Sequence, residues 1–298
     1  MENRTEKDYP AWAYRGILIA ATIIWGGNFV VSKFAVDAAG ATWVVGIRFL
    51  IAGLLMALLL AKRLSRHLTK DLVRAGCIIG LFSFLGYWTQ FLGLEGTTPA
   101  KNAFLSACYC VTVPFIWWVV VRRSPTKKNL AAAAICVAGM ALVTLEGDFS
   151  VTWGDGVSIL SAFMYGAEIV VIALYIRDYD VLSVTTIQMI TSGILGCILG
   201  AFTHEPPTAA LLADPGFLAA MAYIILLASC FASTAQNLAQ THVPPAEVSL
   251  LFALESVFGT LFSVIFYGEA LTLKLVAGFI LIFVGILVSQ LRSKKDEG

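Results

Sequence analysis

Charge is the scarcest property of this sequence. Only 13% of its 298 residues are Asp, Glu, Lys or Arg, about half the share of a soluble domain. A soluble fold of this length would need more charge for its surface. The 20 Lys and Arg nearly balance the 19 Asp and Glu, for a net charge of +1. No basic excess is left for nucleic acid and no acidic excess for basic partners. Histidine is almost missing. His67, His204 and His242 all fall in polar joints, not at metal-ligand spacing. The six cysteines, at 77, 108, 110, 136, 197 and 230, include no CxxC. They sit in apolar segments and read as small buried residues, silent about redox compartment. There is no GxSxG, HExxH, P-loop or paired acidic motif, so an ATP-driven pump within this chain is excluded. No polar joint is long enough for a soluble catalytic domain. Neither an enzyme, a cofactor nor a metal is expected.

Apolar sequence fills the gap: 59% of the residues, with a mean hydropathy of +0.84. Apolar windows of roughly 18–24 residues fall near 14–36, 41–61, 72–93, 98–121, 129–145, 154–176, 181–203, 216–238, 246–267 and 272–291, lengths that cross a bilayer. The first follows a polar "MENRTEKDYPAWAYR" and is too long for a signal-peptide core, so an uncleaved span is expected. The predicted class is an all-α, multi-pass membrane protein of ten helices. If both termini share a side, that side collects 16 of the 20 Lys and Arg: Arg4, Lys7, Arg15, Lys62, Arg63, Arg66, Lys70, Arg74, Arg122, Arg123, Lys127, Lys128, Arg177, Arg292, Lys294 and Lys295. The other side collects Asp37, Glu95, Glu146, Asp148, Asp155, Glu205, Asp214 and Glu269. Both termini are therefore expected in the cytoplasm.

The two halves of the chain align. Residues 90–145 match 236–291 at an offset of 146, with Pro99-Ala100 on Pro245-Ala246 and Gly139 on Gly285. Earlier positions match at an offset of 140, with Gly26 on Gly166 and Gly53 on Gly193. Units of 1–145 and 146–298 follow. Five spans per unit is an odd number, so the second copy enters the membrane the other way up. The joint "RRSPTKK" falls on "YGEALTL", a basic loop on one without that cluster, as inversion requires. Inverted repeats place substrate sites near the midplane between the halves and permit alternating access.

Polar groups within spans mark where a cavity would lie, because ionisable groups there are costly. Glu168 and Glu255 fall near mid-depth. They read as contacts for a substrate amine, proton or cation, or as a structural ion pair with Arg48. Lys33 and Arg48 lie nearer the outer interface, where long side chains can snorkel; a structural or gating role is expected for both. Ser83, Tyr87 and Gln90 share a face of the third span, and Ser233, Gln236 and Asn237 lie on the repeat-equivalent eighth, lining a cavity or joining helices. At the repeat offsets Asn28 is the neutral twin of Glu168, and Tyr109 that of Glu255. Trp25 shares the face of Asn28. Trp25, Asn28, Ser83, Tyr87, Gln90, Tyr109, Glu168, Ser233, Gln236, Asn237 and Glu255 form the expected substrate site. Its acidic side falls on the second repeat.

"WGGNFVVSK", "RFLIAGLL", "GLEGTTPAKNAFLSACYCVTVPFIWWVVV" and "PPAEVSLLFALESVFGTLFSVIFYGEALT" together resemble the EamA-type transporters of the drug/metabolite transporter superfamily, over the whole chain. The resemblance implies an inner-membrane exporter or facilitator of amino acids or related small metabolites, in a bacterial plasma membrane. Protons are a candidate coupling ion, and monomer and homodimer both stay open. Two departures stand out. Ser256 follows Glu255 where the family often has proline, so a straighter ninth helix is expected. "RRSP" lacks the acidic residue common after the fourth span. Two other classes compete: a receptor or assembly subunit without transport, and a membrane-embedded enzyme acting on a lipid.

Overall fold

The computed structural model describes residues 10–122, 127–144, 151–203 and 206–290. Arg4, Lys7, Arg123, Glu146, Asp148, His204, Glu205, Arg292, Lys294 and Lys295, used above for orientation or set aside as a histidine, lie outside the described residues. Every described element is helical, with no strand among the described residues.

In chain order the helices are α1 (Ala11–Ala39), α2 (Ala41–Leu59), α3 (Ala61–His67), α4 (Lys70–Glu95), α5 (Pro99–Ser106), α6 (Tyr109–Val121), α7 (Lys127–Thr144) and α8 (Trp153–Tyr175). After a 3-10 turn at Ile176–Asp178 come α9 (Val181–Thr203), α10 (Ala209–Leu212) and α11 (Pro215–Ala222). A π-helical segment, Tyr223–Phe231, joins α11 to α12 (Ala232–Gln240). Then α13 (Pro245–Phe262) runs into a second π segment at Ser263–Tyr267, and α14 (Leu273–Gln290) ends the described chain.

Eight of these paths are long and apolar enough to cross a membrane: Trp12–Ala39, Ala41–Leu59, Lys70–Glu95, Pro99–Val120, Trp153–Asp178, Val181–Thr203, Pro215–Gln240 and Glu247–Tyr267. In α7 and α14 the apolar stretches are shorter, Leu130–Gly139 and Leu273–Gly285, and these two helices pack along each other. The chain is a multi-pass integral membrane protein.

Local sequence sets the helix ends. Pro99 and Pro245 occupy first-turn positions of α5 and α13, where a missing N–H costs nothing. The hydroxyls of Thr69, Thr98 and Thr152 accept first-turn backbone N–H groups of α4, α5 and α8. Beyond Pro245 in its first turn α13 has no proline, and it continues helically past Glu255. The fourth is interrupted instead, at Ala107 and Cys108 between α5 and α6.

Small residues bring helices close. A Cβ on Gly46 of α2 would lie 2.6 Å from the Cys197 nitrogen and 2.8 Å from the Gly196 carbonyl carbon of α9, so these backbones meet with no room for a side chain. The π segment Tyr223–Phe231 is bound to α1 in both directions. Trp25 Nε1 donates to Ala228 O at 2.9 Å, and Tyr223 Oη donates to Ile24 O at 2.7 Å. Inside the segment, Ser229 Oγ donates to Ile224 O, five residues back, at 2.8 Å. Such π segments are uncommon and tend to sit at functional sites.

Candidate functional site

Six helices converge on one cavity. From α1 come Trp25, Asn28 and Phe29; from α4, Tyr87 and Gln90; from α6, Tyr109. From α8 come Tyr165, Glu168 and Ile169; from α12, Gln236; from α13, Phe252 and Glu255. The spacing on α1, α4, α8 and α13 is three or four residues, which stacks side chains on one helical face. Helix geometry therefore aims each group inward once its helix is rotated to bury its polar residue.

Both carboxylates are buried, Glu168 at 2% exposure and Glu255 at 7%. Ser83 Oγ donates to Glu168 Oε1 at 2.5 Å, and Gln188 Nε2 approaches the same oxygen at 3.5 Å. Tyr109 Oη donates to Glu255 Oε1 at 2.9 Å. These donors are neutral, and neither carboxylate has a basic partner among the described residues. Tyr165 Oη donates to Gln90 Oε1 at 2.8 Å, and its ring meets Tyr87 edge-on at 5.2 Å. Trp25 meets Phe252 edge-on at 5.0 Å. The result is an aromatic box with two acidic groups, chemistry suited to a cation. The volume left open is about 30 Å³, room for one or two waters. An amino acid enters only if the walls move.

Of the eleven residues expected to bind substrate, eight line this cavity: Trp25, Asn28, Tyr87, Gln90, Tyr109, Glu168, Gln236 and Glu255. The other three stand behind the wall. Ser83 holds Glu168. Asn237 Nδ2 donates to Gln188 Oε1 at 2.6 Å and to Thr185 Oγ1 at 2.8 Å. Ser233 is buried on α12 without reaching the cavity. Four lining residues escaped the sequence reading: Phe29, Tyr165, Ile169 and Phe252. Tyr165 and Phe252 each precede a buried glutamate by three residues, and that spacing was a usable signal.

The two basic residues, expected to be structural or gating, are both buried. Lys33 does not snorkel. It is 7% exposed and donates to Leu94 O at 2.9 Å and Glu95 O at 3.5 Å, with Asp37 at 2.9 Å. It thus neutralises the carboxyl end of α4. Arg48 neither snorkels nor pairs with a glutamate. It is fully buried and bonded through Nε to Ser229 Oγ at 2.9 Å.

Around the cavity the molecule is tied at both ends. At one end Arg15 is bonded to Glu247, and Tyr14 stacks on His242 at 4.0 Å. At the other, Glu269 accepts from Thr98 Oγ1 at 2.6 Å, Ala100 N at 3.2 Å and Ser263 Oγ at 2.5 Å. Asp155 accepts from Thr97 Oγ1 at 2.6 Å and lies 3.6 Å from Lys101 Nζ. Among the described residues no three His, Cys, Asp or Glu side chains are grouped so as to hold a metal.

Membrane-length helices closed around a buried, two-carboxylate cavity define an integral membrane protein with an internal polar site. The EamA-like transporter family matches residues 14–145 and, a second time, residues 152–291. The chain belongs to that family and is an EamA-type transporter of the drug/metabolite superfamily. An uncharacterized transporter of Archaeoglobus fulgidus is 28% identical over 94% of this chain and 86% of its own. The S-adenosylmethionine/S-adenosylhomocysteine transporter of Chlamydia muridarum is 28% identical over 63% of each chain. The uncharacterized inner membrane transporter YedA of Escherichia coli K12 is 25% identical over 92% of this chain and 90% of its own. A solved crystal structure superposes on 96% of this chain and 99% of its own, with a TM-score of 0.69 at 15% identity; that likeness shows the fold.

Proposed function

We propose that the protein is a secondary transporter or facilitator that exports amino acids or related small metabolites across a bacterial inner membrane by alternating access. The observation that carries this reading is the cavity itself. Two buried carboxylates with only neutral donors face a space walled by helices from both halves. A cationic amine is the natural partner of such groups, and the aromatic walls add attraction for it. Trp25, Asn28, Tyr87, Gln90, Tyr109, Glu168, Gln236 and Glu255 contact the solute, while Ser83, Ser233 and Asn237 hold those contacts in place. A relative named as an S-adenosylmethionine/S-adenosylhomocysteine transporter supports an amino-acid derivative as the solute.

The moving parts are two inverted five-helix units, 1–145 and 146–298, with α7 and α14 as the fifth and tenth spans and both termini cytoplasmic. Contacts between positions 146 apart support this. Tyr109 touches Glu255, and Cys136 Sγ approaches Ile282 O at 3.5 Å. Residues related by a two-fold axis meet only close to that axis. The narrow cavity and its tied ends fit an occluded state. Release of the Arg15–Glu247 and Tyr14–His242 contacts opens it to the cytoplasm; release of the Glu269 and Asp155 contacts opens it to the other side.

The test is counterflow into proteoliposomes with labelled amino acids and S-adenosylmethionine. Glu168→Gln and Glu255→Gln each keep the shape and remove the charge. Each is expected to lower uptake by at least about tenfold, the scale of losing a desolvated charge partner. Full transport by both variants sinks the acidic-site reading.

A further inference from the structure

Arg48 presents an unspent charge. A guanidinium carries five N–H donors. In Arg48 the Nε donor goes to Ser229 Oγ at 2.9 Å, while Nη1 and Nη2 are buried with no partner. The side chain is 0% exposed, and no carboxylate among the described residues pairs with it. Phe49, Tyr87 and Phe91 stack on it, with its Cζ 4.7, 4.6 and 5.3 Å from their ring centres. Aromatic faces stabilise the charge from above and below. They supply no acceptor to the Nη1 and Nη2 N–H groups, and burying such donors is costly unless an acceptor arrives.

The other half of the molecule shows what that acceptor would be. The offset of 140 carries Arg48 onto Gln188 and Asn28 onto Glu168, and the offset of 146 carries Ser83 onto Ser229. The same bond recurs in both halves: Gln188 Nε2 donates to Ser83 Oγ at 2.7 Å, as Arg48 Nε donates to Ser229 Oγ. Beside Gln188 the arrangement is completed by a carboxylate, Glu168, which accepts from Ser83 at 2.5 Å. At the position equivalent to Glu168 in the first half stands Asn28, neutral, with its Oδ1 buried and unpartnered. The half with the stronger donor is the half without a carboxylate of its own.

We propose that the free edge of Arg48 binds a carboxylate of the transported solute, so that the solute is a zwitterion, its cationic end at Glu168 and Glu255. This rests on the transport reading of the cavity. Tyr87 is the partition between the two sites: it lines the cavity and covers the Arg48 guanidinium. A shift of its ring joins them. A guanidinium takes a carboxylate through two parallel hydrogen bonds, which lysine cannot reproduce.

The test uses the full chain in detergent and acetate as the bare carboxylate. Thermal unfolding is followed against acetate, with acetamide as the neutral isostere, at fixed ionic strength. Acetate is expected to raise the unfolding temperature of the wild type saturably. Arg48→Lys needs at least about tenfold more acetate, and Arg48→Gln shows no shift; if the glutamine variant does not fold, the lysine variant decides. An equal shift in all three proteins, or none in the wild type, overturns the site. Counterflow of L-leucine against L-leucinamide then separates a solute carboxylate from a co-bound anion. A preference for leucine that disappears in Arg48→Lys supports the zwitterion, and equal uptake of the amide by the wild type overturns it. Where neither probe is carried, the acetate arm decides alone. An acetate site that depends on Arg48, alongside full transport by the two glutamine variants of the acidic residues, overturns the acidic site and the placement of a cationic end there, and leaves the Arg48 carboxylate site standing; an Arg48-dependent acetate site in a protein that carries no probe marks failure of the transport reading and not of the Arg48 site.

Discussion

Gly26 and Gly16 lie ten residues apart on α1, and the same substitution at each should have opposite effects. A Cβ on Gly26 would overlap Phe258 Cβ and come within 3.1 Å of the Gly259 nitrogen and the Phe258 carbonyl carbon. Ordinary contact begins near 3.4 Å, so the Phe258 contact requires α1 and α13 to part by about 1 Å. Phe258 Cβ is fixed to its backbone and cannot swing aside. Overpacking of this kind costs roughly 1–3 kcal/mol. At Gly16 nothing lies within 4 Å of the added carbon. There Gly→Ala keeps only the helix-propensity gain, up to about 1 kcal/mol. Both variants share that gain, so the difference between them isolates the clash, about 1–3 kcal/mol. At roughly 2 °C per kcal/mol, Gly26→Ala should unfold about 2–6 °C below Gly16→Ala in detergent. The displaced helices also carry Trp25 and Asn28 on one side and Phe252 and Glu255 on the other, so Gly26→Ala should lose transport where Gly16→Ala does not. Matching unfolding temperatures with full transport in both would refute the close approach of α1 and α13.

Three further outcomes follow. Trp25→Phe removes the indole N–H that donates to Ala228 O at 2.9 Å, and with it one buried hydrogen bond between α1 and the π segment; the expected loss, about 0.5–1.5 kcal/mol, reads out in thermal unfolding. Asp180 sits outside the spans, where partial burial would raise its carboxyl but hydrogen bonds from Arg63 and Ser183 outweigh that and hold it below the usual value. A depressed folded-state value gives stability that is present above the unfolded carboxyl's range near pH 4 and lost as pH falls through the folded value; the unfolding temperature of Asp180→Asn should therefore fall less over that acid window than that of the wild type. In intact cells a membrane-impermeant maleimide should label Lys274→Cys and spare Arg66→Cys until the membrane is opened, in a background without the native cysteines; the reverse pattern overturns the cytoplasmic assignment of the termini.

Spans and acidic groups could be read from sequence because each is a departure from an apolar background. Glu168 and Glu255 are conspicuous where hydrocarbon is expected, and the repeat register pairs Tyr109 with Glu255 as equivalent positions; in the structure the two are bonded at 2.9 Å. Tyr165 and Phe252 were hidden for the opposite reason. In a chain with 19 phenylalanines and 9 tyrosines, an aromatic facing a cavity carries the same letter as one facing lipid. Rotation of the helix decides between them, and only the paired glutamate three residues on gives the rotation away. Whether Lys33 and Arg48 snorkel is not legible from sequence, since a long cationic side chain near an interface can reach water and equally can find buried partners. What decides is local. Lys33 finds the carbonyls ending α4 within reach, and Arg48 finds three aromatic rings.

Under the proposed inverted duplication, two identical units would build a cavity with the same charge on both sides. The chain departs from that at a few positions. Asn28 and Tyr109 are neutral where Glu168 and Glu255 are acidic, and Gln188 is neutral where Arg48 is cationic. The substitutions run in opposite senses, so acid gathers in one half and base in the other while the helix frame stays paired. A solute with one charge would use only part of that arrangement. A solute carrying both charges, held across the boundary between the halves, uses all of it and is bound by both units at once. Such a solute also couples their movement, because neither half can tilt away without giving up one of its two charge contacts.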